Sequence, residues 1–316
     1  MGRRRRDATG GRQLSPIRSP VVNGRRGQAV QAAAGSTRLR VTVGGLPRRA
    51  EVWLPPQPAG AALVLDLHGS GFDPQRHVRV TRTDVWAALG AVVLAPCAAI
   101  PLRFAESVPP GWAWAVPGAP LYGESGLRAD LNQVDDLGFL TAMVEEAIRR
   151  WGIDPSRVFA LGYSGGARLL SRWAGRTRLL TAACCVSGVR APDPGTTAAL
   201  LAIHGGADSV NPVAGSDDPR WREPVSEAVR RWAEALGCRR ATTEDATTTV
   251  TFQWRRPDGT SPVRYIEIAR AGHAWPGATD PDHARVFGRT SGVDATAAAA
   301  DFFRDVVGGS GPWRAP

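Results

Sequence analysis

Five residues, Gly162-Tyr163-Ser164-Gly165-Gly166, constrain this 316-residue chain more than any other feature. They follow the apolar run Val158-Phe159-Ala160-Leu161 and precede a stretch, Ala167 to Trp173, that can form a helix. A serine in G-x-S-x-G spacing between strand and helix sits on a sharp turn with its hydroxyl lifted clear of the sheet. Small residues on both sides keep neighbouring Cβ atoms from colliding. Upstream, Leu137, Leu140, Val144, Ala147, Ile148 and Trp151 mark one face of a helix over 135–151. Gly152-Ile153-Asp154-Pro155 ends it. Helix, strand, turn and helix thus come in the order that such a serine requires.

A serine hydroxyl is a poor nucleophile at neutral pH, so it needs a base within hydrogen-bond reach and an acid to orient that base. On the α/β-hydrolase scaffold that the turn implies, the chain order is serine, acid, histidine. The sequence holds five His, of which His204, His273 and His283 follow Ser164. His273 lies in a loop after the apolar strand Tyr265-Ile266-Glu267-Ile268, where the base belongs. His283, in Pro281-Asp282-His283, reads as an exposed loop residue, and His204 closes the strand 199–203. The loop after His204 presents Asp208 at a strand's carboxyl end, as an orienting acid should be, with Asp217, Asp218 and Glu223 as nearby alternatives. The oxyanion of an acyl-transfer intermediate needs two backbone donors. One is the N–H of Gly165. The other falls in His68-Gly69-Ser70-Gly71, after the buried run Ala62 to Leu67, with Ser70 the expected donor and Gly71 the alternative. His68 reads as an organiser of that loop. This chemistry calls for no metal and no cofactor, and there is no C-x-x-C and no clustered Cys/His spacing.

Seven segments carry a family resemblance: Gly44-Gly45-Leu46, Leu67-His68-Gly69, Val134 to Leu140, Ile153 to Val158, Gly162 to Gly166, His204-Gly205 with Asp208, and Gly272-His273-Ala274-Trp275-Pro276-Gly277. Between about Arg38 and about Phe303 the chain resembles the polyhydroxybutyrate depolymerase family of esterases, which also contains feruloyl and acetylxylan esterases. The resemblance implies an α/β-hydrolase fold and places nucleophile, acid and base on Ser164, Asp208 and His273, the residues the chemistry selects. It implies ester substrates: hydroxyalkanoate oligoesters, feruloyl esters or acetylated sugars. Asp66 departs from the family pattern by putting a carboxylate near the end of a strand that relatives keep apolar. A serine peptidase of the prolyl-oligopeptidase type shares the triad order, but a propeller domain is missing from the sequence. Trp112, Trp114 and Trp275 lie in loops with Tyr122. Of these, Trp114, Tyr122 and Trp275 are the expected lining of an acyl or sugar pocket.

The net charge of +10 is uneven. Residues 1–40 hold ten Arg against Asp7, leaving 29 basic and 28 acidic residues for the remainder. Residues 1–36, rich in Gly, Arg, Ser and Pro, read as a disordered tail. It could bind polyanions weakly, and a polyanion-binding protein is the non-enzymatic alternative. No obligate nucleic-acid partner is expected. No apolar stretch follows the tail's positive residues, so no secretion signal is seen and the cytoplasm is the default location, although the family resemblance allows secretion. No apolar run approaches a membrane span.

One catalytic domain is expected over residues 37–308, with a loose end at 309–316. A hairpin is expected near 38–44 and 49–54, then strands near 61–67, 91–95, 157–161, 180–186, 199–204 and 263–268. Thr249–Trp254 pairs with the last of these. Helices fall near 82–89, 135–151, 166–174, 222–236 and 294–305. Strands alternating with helices give a mostly parallel sheet covered on both faces. Cys184 and Cys185 are neighbours on a strand and so point to opposite faces, while a Cys97–Cys238 pair stays open.

Overall fold

The computed structural model describes residues 36–103, 109–123, 126–128, 134–288 and 292–309, with backbone only at 122–123, 126–128 and 240. The expected tail at 1–36 lies outside these residues except for Ser36, as does the C-terminal end after residue 309. In chain order the strands are β1 (Thr37–Val43), β2 (Leu46–Trp53), β3 (Ala62–Leu67), β4 (Ala91–Pro96), β5 (Ile100–Leu102), β6 (Gly111–Ala113), β7 (Leu121–Gly123), β8 (Gly126–Arg128), β9 (Val158–Tyr163), β10 (Ala182–Val186), β11 (Ala199–Gly205), β12 (Arg240–Asp245), β13 (Thr249–Arg255) and β14 (Val263–Ile268). The helices are α1 (Pro74–Thr81), α2 (Val85–Ala88), α3 (Asp136–Trp151), α4 (Gly165–Ala174), α5 (Val225–Ala235), α6 (Pro281–Phe287) and α7 (Ala295–Val306).

Ten strands form one sheet in the order β1-β2-β4-β3-β9-β10-β11-β14-β13-β12. The six from β4 to β14 are parallel, and antiparallel hairpins extend both edges. The parallel strands are buried throughout in β3, β4, β9, β10 and β11, because helices cover both faces and leave no solvent side. Alternation divides the core accordingly. Leu63 and Leu65 of β3 pack with Phe139, Leu169 and Trp232 of α3, α4 and α5. Ala62 and Val64 pack with Val78, Trp86 and Phe303 beneath α1, α2 and α7. Cys184 and Cys185 divide in the same way, one to each face. All four cysteines are free thiols, so the Cys97–Cys238 pair does not form.

From β3 the order runs outward to β4, and from β9 it runs the opposite way to β10 and β11. The direction of winding therefore switches between β3 and β9, and a crevice opens there at the carboxyl ends of the strands. Leu67 pairs with Gly162 across that boundary, so the loops after β3 and β9 rise side by side.

Several elements differ from the sequence expectation. The helix placed at 82–89 is a four-residue turn, α2, preceded by α1, an eight-residue helix with Asp73 as its N-cap and Pro74 at its first position. Asp280 and Pro281 open α6 in the same manner. That helix buries His283, which is 3% exposed and not a free loop residue. An edge strand, β12, adds Arg240–Asp245. Among the described residues no helix is long and apolar enough to cross a membrane.

A tight constraint on this frame is Gly166, in the first turn of α4. A Cβ there would lie 2.2 Å from the Leu67 carbonyl oxygen and 2.7 Å from that of His68, both backbone atoms that cannot swing away. Gly166→Ala is accordingly expected to destabilise the protein by at least about 2 kcal/mol, through overpacking at the α4–β3 crossing. Urea unfolding of the variant measures this, and a midpoint equal to wild type would show that the helix can shift freely.

Candidate active site

Ser164 connects β9 to α4 with φ 51° and ψ −111°, a left-handed backbone that a non-glycine residue adopts only where its surroundings force it. The forcing is visible on either side. A Cβ at Gly162 would meet the Ala167 backbone at 2.7 Å, and one at Gly188 would meet the Ser164 carbonyl oxygen at 2.3 Å. The strain lifts the serine side chain out of the sheet, toward the loop after β14.

That loop carries His273. Ser164 Oγ–H donates to His273 Nε2 at 2.9 Å, and His273 Nδ1–H donates to Asp208 Oδ2 at 2.7 Å. Residues 109 and 65 positions apart in the chain thus form one continuous relay. The alternative acids stand elsewhere: Asp218 is paired with Arg220, and Glu223 holds the Ala191 N–H and Arg231.

Asp208 is only 4% exposed. Burial alone would raise its pKa, but the His204 imidazole 3.4 Å away and the hydrogen bonds from His273 and the Asn211 N–H outweigh burial and hold the carboxyl well below the usual range. Its Oδ1 accepts the N–H groups of Val210 and Asn211 at 2.9 and 2.8 Å. An ionised, fixed carboxylate keeps the proton of neutral His273 on Nδ1 and leaves the Nε2 lone pair facing the serine, which is the tautomer a general base needs.

The loop after β3 completes the site. Gly71 N–H donates to the Trp112 carbonyl at 2.9 Å, so of the two donors expected there Gly71 is already engaged. Ser70 lies against Gly165: a Cβ on Gly165 would be 3.3 Å from Ser70 N and 2.4 Å from its Oγ. His68 organises this loop, as its sequence position suggests. Its Nδ1–H donates to the Gly69 carbonyl, its Nε2 accepts from the Ala98 N–H, and its own carbonyl accepts from the Trp114 indole.

Two of the aromatic residues expected to line a pocket do not. Trp114 and Trp275 are each 1% exposed. Trp114 spends its indole N–H on His68, and Trp275 spends its own on Thr296. They brace the loop after β3 and the histidine loop from behind, since a tryptophan this deeply buried has no face left for a ligand. The side chain of Tyr122 lies outside the described residues.

Four residues have supporting roles that the sequence did not show. Tyr163 Oη–H donates to the His273 carbonyl at 3.0 Å, tying the serine turn to the histidine loop. Asn211 accepts His204 Nε2–H through its carbonyl and donates its side-chain amide to the Ser187 carbonyl. Trp221 packs against His273 with ring centroids 6.3 Å apart. His283 Nε2 accepts the Trp275 N–H. Behind these, the fully buried Asp66 accepts from His77 at 2.9 Å and from Thr81 and Thr83 at 2.6 Å each, so this carboxylate fastens α1 to β3. Burial would raise Asp66, but His77 and the three hydrogen bonds hold it low.

The buried histidines make stability depend on pH. Burial, first among the causes for both, pushes His68 from 6.5 down to about 3 and His283 down to about 4. Between those values and 6.5 the unfolded chain binds protons that the native state refuses. Their contribution is therefore complete above pH 6.5 and falls as the pH drops toward the folded values. At pH 5 the two residues together are expected to remove roughly 4 kcal/mol of stability. Denaturant midpoints at pH 7 and pH 5 test this. His283→Gln should shrink the pH 5 loss, and an undiminished loss in that variant would remove His283 from the account.

No protein-family model matches the chain. It is 28% identical over 302 residues to "Putative esterase NocK" of Nocardia uniformis subsp. tsuyamanensis, an alignment covering 86% of this chain and 83% of that protein. Among solved structures it is similar to acetyl xylan esterase from Aspergillus awamori, with a TM-score of 0.51 and 18% identity over 75% of this chain and 94% of that one. It is also similar to esterase PE8, with a TM-score of 0.50 and 16% identity over 81% of this chain and 98% of that one. At such identities the likeness to the solved structures is one of fold, and it agrees with the strand order, the winding switch at β3 and β9 and the serine turn: the chain has the α/β-hydrolase fold.

Proposed function

We propose that this protein is a serine carboxylic-ester hydrolase working through an acyl-enzyme. The observation that carries the reading is the unbroken relay from Ser164 Oγ through His273 to the ionised Asp208. His273 Nε2 takes the hydroxyl proton as Oγ attacks the ester carbonyl carbon. The carbonyl oxygen, now an anion, lies against the N–H groups of Ser70 and Gly165, whose preset orientation stabilises charge that appears only in the transition state. The imidazolium, steadied by Asp208, returns the proton to the departing alkoxide, leaving the acyl group on Ser164. Water activated by the same histidine then releases the acid.

The similarity to "Putative esterase NocK" supports ester over peptide substrates. The segments shared with the polyhydroxybutyrate depolymerase family support hydroxyalkanoate oligoesters, or feruloyl and acetyl esters of sugars, as the substrate class. A panel of p-nitrophenyl acyl esters, methyl ferulate, acetylated xylan and hydroxybutyrate oligomers, run beside Ser164→Ala, tests both levels. Turnover of the activated esters that vanishes in Ser164→Ala supports the mechanism, and the best natural ester identifies the class. Equal turnover in both proteins would sink the reading.

A further inference from the structure

One buried charge is unaccounted for by the relay. Arg168 lies on α4, and its backbone N–H donates to the Ser164 carbonyl, so it stands one helical turn from the nucleophile. Its side chain is 3% exposed, and its Nε and Nη1 have no hydrogen-bond partner among the described residues. A guanidinium taken out of water is costly unless its in-plane N–H groups find acceptors. The Arg168 guanidinium lies over the ring of Trp221, 4.6 Å from the centroid, which satisfies its face and leaves Nε and Nη1 open. The same ring packs against His273.

The neighbours deepen the imbalance. Arg190 and Arg220 also lie over Trp221, at 4.8 and 5.9 Å. Asp218, the carboxylate that interacts with Arg168, is gripped by Arg220 through two nitrogens. Glu223 is turned to the Ala191 N–H and Arg231. Burial and the repulsion of Arg190 and Arg220 pull Arg168 down to about 9, still above neutral pH, so it remains charged. A charged guanidinium with an unused N–H at Nε and another at Nη1, held beside the catalytic histidine's aromatic neighbour, can give a carboxylate oxygen a charge-assisted hydrogen bond.

We propose that Arg168 recognises a carboxylate carried by the substrate, making the enzyme selective for anionic esters. The inference rests on the esterase reading above and narrows it. Two pairs of esters test it: p-nitrophenyl butyrate against mono-p-nitrophenyl glutarate, with the carboxylate on the acyl side, and phenyl acetate against 4-acetoxybenzoate, with the carboxylate on the alcohol side. Each kcat/KM is divided by the ester's rate with hydroxide to remove intrinsic reactivity. In the wild type the anionic member of one pair should be favoured by at least about tenfold, the value of a charge-assisted hydrogen bond. Which pair responds tells the side. Arg168→Met should bring that ratio near one, and Arg168→Lys, which keeps the charge without the fork, should retain part of it. A wild type that takes both neutral esters at least as well as their anionic partners overturns the inference, whether or not the variants fold. So does a preference that survives Arg168→Met. Hydrolysis of neutral esters that depends on Ser164 would leave the esterase reading standing in either case, whereas no Ser164-dependent hydrolysis of any of the four would end both.

Discussion

Ser164→Ala is expected to abolish ester turnover while leaving the fold intact. The change removes one oxygen from a side chain whose backbone is held by its surroundings, so no cavity of consequence opens. The chemistry loses its only nucleophile. His273→Ala should cost about as much, because the serine needs its proton taken as it attacks. The relay acts as a unit, and single removals in such units reduce kcat by up to roughly 10⁶. The double variant should therefore be scarcely worse than either single one. Four kcat values on one activated ester, with circular dichroism to verify folding, settle the point. A folded Ser164→Ala that keeps a substantial part of wild-type turnover, or a double variant whose loss is the product of the two, would mean that these residues do not act together.

Asp208→Asn is expected to reduce kcat by roughly 10⁴ without unfolding the protein. The structure gives the reason. Oδ1 accepts two backbone N–H groups, from Val210 and Asn211, and those donors would hold the oxygen of an asparagine in the same place. The amide nitrogen must then face His273 Nδ1. It can only donate, so Nδ1 becomes the acceptor and the imidazole proton moves to Nε2, against the serine hydroxyl. The base is present but in the wrong tautomer. Full activity in folded Asp208→Asn would place the orienting acid elsewhere.

The residues of this site were legible because reaction chemistry leaves few choices. A serine between glycines after a strand, a histidine in a loop after the last parallel strand and an aspartate at a strand end are set by type and order, not by packing. The central strands were equally plain, since burial on both faces gives continuous apolar runs. What stayed hidden depended on partners far away in the chain. Whether Trp275 faces a ligand or the core is decided by Thr296 and His283, which no local pattern announces. The short helices α1 and α6 did leave a signal, an aspartate followed by proline at each start, but seven or eight residues show too little periodicity to reveal a face. The edge strand β12, Arg-Ala-Thr-Thr-Glu-Asp, has no apolar alternation, because the described part of it is solvent-exposed. Arg168 was invisible for a different reason: an arginine in an amphipathic helix normally reaches water, and only the packing of Trp221 shows that this one does not.

In the proposed mechanism Ser164 becomes acylated. Treating the protein with a fluorophosphonate, which phosphonylates activated serines, and mapping the adduct by peptide mass spectrometry tests it most directly. One adduct per chain is expected, on Ser164, formed in step with the loss of esterase activity and absent from both Ser164→Ala and His273→Ala. An adduct on another serine, or inactivation with Ser164 unmodified, would contradict it.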